Sequence, residues 1–303
     1  MPADPTPQAR TILGVTHAPV GAWVPANACD CHVHVFGPHA RYPLSPARVY
    51  TPPEASIEQL LALQSALRLE RVVIVHPSPY GADNSCTVDA LRVLGGRARG
   101  VAVIDEKTSD AALKDMHAAG VRGARVNLQT AGVNDPAAAQ AALEWAARRV
   151  APLGWHVQTY TNLDVLAPLH DAILKLPVPL VIDHFGRAMG AKGVSQPGFE
   201  AVLSLLKSGK AYVKISASYR ISKDPDHADA EPIARAYIDA NPTRVVWGTD
   251  WPHPGGERRA ADEIEPFNPI NDGRALNRLE QWTRSPAEIQ KILVDNPARL
   301  YGF

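Results

Sequence analysis

Cysteine is scarce in this chain: Cys29, Cys31 and Cys86 are the only three. Cys29 and Cys31 flank one residue, so on a strand they share a face, predicted to be opposite the one taken by His32 and His34. Such a set cannot build a disulfide framework, and buried thiols are expected instead. Charge of a dominant sign is also missing, since 31 Lys+Arg balance 31 Asp+Glu. No surplus field is available to draw nucleic acid or an anionic membrane, so neither is expected as a partner. No apolar run reaches the ~20 residues that span a bilayer. The Pro-rich start, Met1 to Arg10, lacks the apolar stretch of a secretory signal, so a cytoplasmic location is expected. A Gly-rich phosphate turn is absent after the first strand candidate, where the chain reads His-Val-His-Val-Phe-Gly-Pro, which argues against an open dinucleotide-binding sheet.

What the chain does have is length and apolar content. With 303 residues, 46% of them hydrophobic, it can fill one large core. Strand-like apolar runs at Ala28–Val35, Arg71–His76, Gly100–Ile104, Gly123–Leu128, Trp155–Tyr160, Leu180–His184, Ala211–Ser216 and Arg244–Asp250 alternate with amphipathic segments. Those segments are Ser56–Leu69, Ser85–Leu94, Ser109–Ala119, Asp135–Ala151, Leu163–Leu176, Gly198–Lys207 and Asp229–Ala240, with a last one from Ser285 to Val294. Near-continuous apolar strands, each followed by a helix, predict an α/β fold, a parallel (β/α)8 TIM barrel. Residues 28–303 are assigned to the barrel and 1–27 to an N-terminal extension.

Active sites of such barrels form at the C-terminal strand ends. Read in order, those ends offer His32 and His34, His76, Asp105, Arg125 and Asn127, Gln158 and Tyr160, Asp183 and His184, Lys214 and Ser216, then Asp250. His156 stands at a strand start and is predicted to lie at the wrong end. The ~20-residue Pro252–Gly273 stretch reads as a lid or site wall, or equally as a mobile surface loop.

His32, His34, His184 and Asp250 admit two readings. As ligands, three imidazoles and a carboxylate suit one Zn²⁺ with an open position. Without metal, Asp250 takes a proton from water while the three histidines donate hydrogen bonds to a carbonyl gaining charge. The metal-free reading is preferred, because the fourth strand offers Arg125 where a bridging ligand would be needed. A guanidinium there repels a dication but grips a carboxylate. Arg187 and Arg220 stand just past the sixth and seventh strands, and three such arginines favour an anionic substrate.

Several stretches together resemble the amidohydrolase superfamily. They are Asp30-Cys-His-Val-His-Val-Phe-Gly-Pro38, Tyr50-Thr-Pro-Pro53, Gly81-Ala-Asp-Asn84, Arg122-Gly-Ala-Arg-Val-Asn127, Val181-Ile-Asp-His-Phe-Gly-Arg187, Trp247-Gly-Thr-Asp-Trp-Pro-His-Pro254 and Asn296-Pro-Ala-Arg-Leu-Tyr301. They are most similar to its branch of 2-pyrone-4,6-dicarboxylate lactonases. The resemblance runs from about Cys29 to the C-terminus. It implies a lactone hydrolase on a somewhat distorted barrel that works without a divalent metal. Asp250 would then activate water, His32, His34 and His184 would surround the carbonyl, and Tyr50, Ser78, Arg125, Tyr160, Arg187 and Arg220 would line the pocket. That branch's pattern has a further arginine shortly after the one matching Arg125, whereas this chain continues Val-Asn-Leu-Gln-Thr-Ala-Gly132. The loss disfavours a dicarboxylated pyrone and leaves monocarboxylated, sulfonated or sugar-acid lactones open. A zinc-dependent hydrolase or decarboxylase, or a sugar-acid lactone isomerase, is the alternative. Aromatic or sugar-acid catabolism is the expected setting, for a monomer or homo-oligomer.

Overall fold

The structure is a computed structural model and describes residues 9–255, 260 and 262–303. Two three-residue strands, β1 (Arg10–Ile12) and β2 (Val15–His17), form a hairpin turned by Leu13 and Gly14, both at positive φ. Eight parallel strands follow in sheet order: β3 (Cys29–Val33), β4 (Arg71–Val75), β5 (Ala98–Ala102), β6 (Val121–Asn127), β7 (His156–Tyr160), β8 (Leu180–Ile182), β9 (Ala211–Ser216) and β10 (Val245–Gly248). Backbone bonds from Asp250 N to His32 O (2.8 Å) and from His34 N to Trp251 O (2.7 Å) join the end of β10 to β3, closing the ring. The expected (β/α)8 barrel is present.

Helices α1 (Ile57–Leu67), α2 (Ser85–Leu94), α3 (Asp110–Ala119), α4 (Leu128–Ala131) and α5 (Pro136–Val150) cover the first half of the barrel. Ser56 caps α1 in a reciprocal box with Gln59, and Ser109 caps α3. The expected single helix over 163–176 is instead α6 (Leu163–Leu166), a tight turn at Ala167–Leu169, and α7 (His170–Leu174). Pro168 lies in that turn, where it lacks the N–H that a continuous helix would use. Next come α8 (Phe199–Lys207), α9 (Glu231–Ala240), α10 (Asp272–Asn277), α11 (Leu279–Trp282), α12 (Pro286–Gln290) and α13 (Asn296–Tyr301). None of the described helices is long and apolar enough to cross a membrane. The segment before the barrel docks on α10 and α11: Ala18 N donates to Asn271, Gly21 N and Ala22 N to Asn277, and Trp23 N to Glu280.

Two apolar layers hold the barrel. The outer one joins Val157, Leu180, Ile182, Val213, Ile215, Val245 and Trp247 to the helices. The inner one gathers Cys29, Cys31, Val73, Val75, Val101, Val181, Tyr212, Val246 and Tyr301. All three cysteines are free and buried, as expected. The predicted placing of Cys31 and His32 on opposite faces needs correction. The register of β3 shifts between Asp30 and Val33, and such a bulge breaks strict alternation. Cys31 packs in the inner layer, and the ring of His32 also turns inward, toward Lys214 and Asp183.

Candidate active site

Asp250 sits at the centre of the barrel mouth, fully buried and at φ 71°, a left-handed backbone that a non-glycine residue rarely adopts without a functional or packing reason. His184 shares that strain at φ 49°. The two carboxylate oxygens of Asp250 live in different surroundings. Oδ2 accepts from the Tyr219 hydroxyl (2.7 Å) and from Arg220 Nε (2.8 Å), and Arg220 Nη2 lies 2.8 Å away. Oδ1 has no hydrogen-bond donor among the described residues, yet three imidazole Nε2 atoms converge on it: His34 at 3.4 Å, His32 at 3.5 Å and His184 at 3.6 Å. Burial pushes the carboxyl toward its neutral form, but the Arg220 guanidinium beside it outweighs this and holds Asp250 well below the usual carboxylate range. Burial lowers all three histidines, His184 to about 4.

The closing contacts between β3 and the end of β10 keep these groups in register. Asp30 accepts from His32 N (3.1 Å), Thr249 N (3.0 Å) and Thr249 Oγ1 (2.7 Å), tying the first histidine to the residue before Asp250. Gly248 makes the close approach possible, since a Cβ there would stand 2.7 Å from His32 N. On the strand-end positions given no role in the sequence, the structure builds a second cluster beneath the first. Lys214, fully buried, donates to Cys31 O (2.9 Å) and Gln158 Oε1 (2.8 Å) and lies 3.5 Å from Asp183 Oδ1.

A cavity of about 380 Å³ opens above Oδ1. His34, His184 and Asp250 reach it, while His32 is sealed behind them. All six expected pocket residues, Tyr50, Ser78, Arg125, Tyr160, Arg187 and Arg220, line it, together with Asn127 at the end of β6 and Gln129 and Thr130 of α4. The three arginines are not equivalent. Arg220 is committed to Asp250 and to the carbonyls of Pro254 and Gly255. Arg187 donates to Asn162 and to the Tyr160 hydroxyl, both at 2.7 Å. Arg125 is bound by its Nη1 to His76 O (2.9 Å), and its buried Nε has no partner among the described residues.

His76 is satisfied by Thr87 and Gly81 O, each at 3.0 Å, and holds the turn after β4. His156 lies at the barrel floor against Tyr301, with ring centres 5.3 Å apart, as predicted from its place at a strand start. Of the 252–273 stretch, Pro254 and Gly255 form cavity wall; residues 256–259 and 261 lie outside the described ones. Tyr219 carried no signal in the sequence beyond its place before Arg220. By spacing, the donor atoms of His32, His34 and Asp250, or of His32, Asp183 and His184, could hold a metal ion, each set lying within 4.8 Å.

Comparison with known proteins agrees with this architecture. A family model described as amidohydrolase matches residues 29–303. The chain is 36% identical to a 4-sulfomuconolactone hydrolase of Hydrogenophaga intermedia over 96% of its own length and 94% of that protein. It is 38% identical to a 2-pyrone-4,6-dicarboxylate hydrolase of Comamonas testosteroni, covering 92% of this chain and 91% of the other. A crystal structure from Acinetobacter baumannii, described as a probable 2-pyrone-4,6-dicarboxylic acid hydrolase with citric acid bound, superposes with a TM-score of 0.78 at 28% identity. That match covers 91% of this chain and all of that one. With its barrel, its strand-end histidines and this match over nearly its whole length, the chain belongs to the amidohydrolase family and is a hydrolase.

Proposed function

We propose that the protein hydrolyses a small lactone that carries an acidic group. The observation that supports this most is the cavity itself: the buried carboxylate of Asp250 at its floor and the guanidinium of Arg125 on its wall, anchored by Nη1 to His76 O, line one space. Asp250 Oδ1 accepts a proton from water as the water oxygen bonds to the lactone carbonyl carbon. The ring C–O bond then breaks, and the proton passes to the departing oxygen, so that one lactone and one water give one hydroxy acid. The histidines divide their work. His34 donates Nδ1–H to Val75 O (2.7 Å), so its neutral ring turns a lone pair on Nε2 toward Oδ1. On this reading His34 does not donate to the carbonyl, where the sequence leads us to expect three donors. His184, with Ser216 Oγ at 2.9 Å from Nδ1, can receive that hydroxyl and present Nε2–H to the cavity. Names given to the relatives, 4-sulfomuconolactone and 2-pyrone-4,6-dicarboxylate hydrolase, support an anionic lactone as the substrate class.

The residues present do not fit a tightly held metal, despite their spacing. The charge of Asp250 is already balanced by Arg220, and that of Asp183 by Lys214, whose ammonium lies 3.3 Å from His32 Nδ1. A dication in either donor set would stand against these buried cations, where repulsion is weakly screened.

Arg125 gives the direct test of the substrate's charge. Its replacement in Arg125→Met removes a charge-assisted pair worth ~1.5–3 kcal/mol, so KM for anionic lactones rises about 10- to 100-fold while kcat holds. Steady-state kinetics on a panel of anionic and neutral lactones reads both quantities. Unchanged KM across the anionic members would remove the acid-binding role. Turnover of a non-lactone acid, with none of any lactone, would overturn the function.

A further inference from the structure

We propose that Lys214 is a positioning residue that holds His32 as its Nε2–H tautomer, so that the ring points a donor rather than a lone pair at Asp250 Oδ1. The inference rests on the reading that Asp250 Oδ1 takes the proton from water. An ammonium carries three donors and no acceptor. Two are taken, by Cys31 O at 2.9 Å and Gln158 Oε1 at 2.8 Å, and the third meets His32 Nδ1 at 3.3 Å. Gln158 cannot be turned the other way, because its Nε2 donates to Asp183 Oδ2 at 3.0 Å and its oxygen faces the ammonium. The amide is therefore fixed between a group that only donates and one that only accepts.

His32 stands in the same gap and must choose. Its Nδ1 lies 3.3 Å from Lys214 Nζ and 3.4 Å from Asp183 Oδ1. Charge draws an Nδ1–H toward Asp183, but only the Lys214 contact has hydrogen-bonding geometry, and an ammonium, having no acceptor, requires a lone pair on the nitrogen it meets. Nδ1 is thus an acceptor, and the ring proton sits on Nε2, 3.5 Å from Asp250 Oδ1. His34 is held the opposite way by Val75 O. One imidazole thus presents a donor and the next an acceptor to the same carboxylate oxygen. Lys214 and Asp183 are 31 residues apart in the chain, and both are fully buried.

The test is nitrogen NMR of the full chain labelled on histidine, with the His32 signals identified by their loss in His32→Asn. In the parent, Nδ1 should carry the signature of an unprotonated acceptor and Nε2 that of N–H. In Lys214→Met the ring should turn its Nδ1–H to Asp183, exchanging the two signatures. The kcat for an anionic lactone should fall about 10-fold or more with KM little changed, because the ring then turns a lone pair where it had presented a donor to Asp250 Oδ1. A parent ring protonated on Nδ1 overturns the proposal. So does a Lys214→Met protein that keeps Nε2–H, or one that exchanges tautomer at full kcat. The parent spectrum decides the tautomer even if the variant fails to fold. It does so equally if no lactone is turned over, an outcome that would instead sink the proposed activity.

Discussion

Asp250→Asn should lower kcat by ~10²–10⁴ while KM for an anionic lactone stays level or drops. Asparagine keeps the size of the side chain and an acceptor oxygen toward Tyr219, but it cannot take a proton. The expected direction of KM follows from Arg220, whose Nε and Nη2 both lie 2.8 Å from Asp250 Oδ2. With the carboxylate gone, that guanidinium, still held by the carbonyls of Pro254 and Gly255, is left with an unbalanced positive charge on the cavity wall and attracts the substrate acid. A residue that served only to bind substrate would show the reverse pattern, raised KM at constant kcat. Steady-state kinetics separates the two, and kcat within about threefold of the parent would remove the general-base role.

Arg220→Met should have the largest effect on stability. It leaves a fully buried carboxylate without its cation, which costs about 3–5 kcal/mol where a buried pair is broken from one side. The sign with pH is definite. Asp250 is held below its ordinary range in the folded protein, so its pairing stabilises the fold above that range and is lost as pH falls through the folded value. Urea unfolding should therefore show the gap between parent and variant widest at neutral pH and narrowing in acid. The carboxyl also comes up without Arg220, so the acid limb of kcat should move to higher pH. A uniform gap at all pH values would mean that Arg220 acts by packing alone.

The barrel was legible because buried parallel strands are apolar along their whole length and turn polar only where they end. His32, His34, His184 and Asp250 stand out against such runs, and the structure brings them together around one oxygen. Pairing between distant polar residues was not legible. Nothing near Lys214 in the chain says that it will meet Asp183 and Gln158, and Arg220 reads as a substrate clamp until its bonds to Asp250 are seen. The bulge in β3 was hidden for a related reason, since register depends on the neighbouring strand. The hairpin at Arg10–Ile12 and Val15–His17 is too short for a periodic signal.

Hydrolysis of an anionic lactone by the protein's own residues predicts a single decisive measurement: acid release in a pH-stat from purified protein, before and after dialysis against a chelator, with metal content determined on the same samples. Opening a lactone ring with water frees a carboxylic acid, whereas isomerising it frees none. The account predicts one proton released per lactone consumed, at a rate unchanged by the chelator, from protein without stoichiometric zinc. Consumption of lactone without acid, or acid release that disappears with bound zinc and returns when zinc is restored, would contradict it.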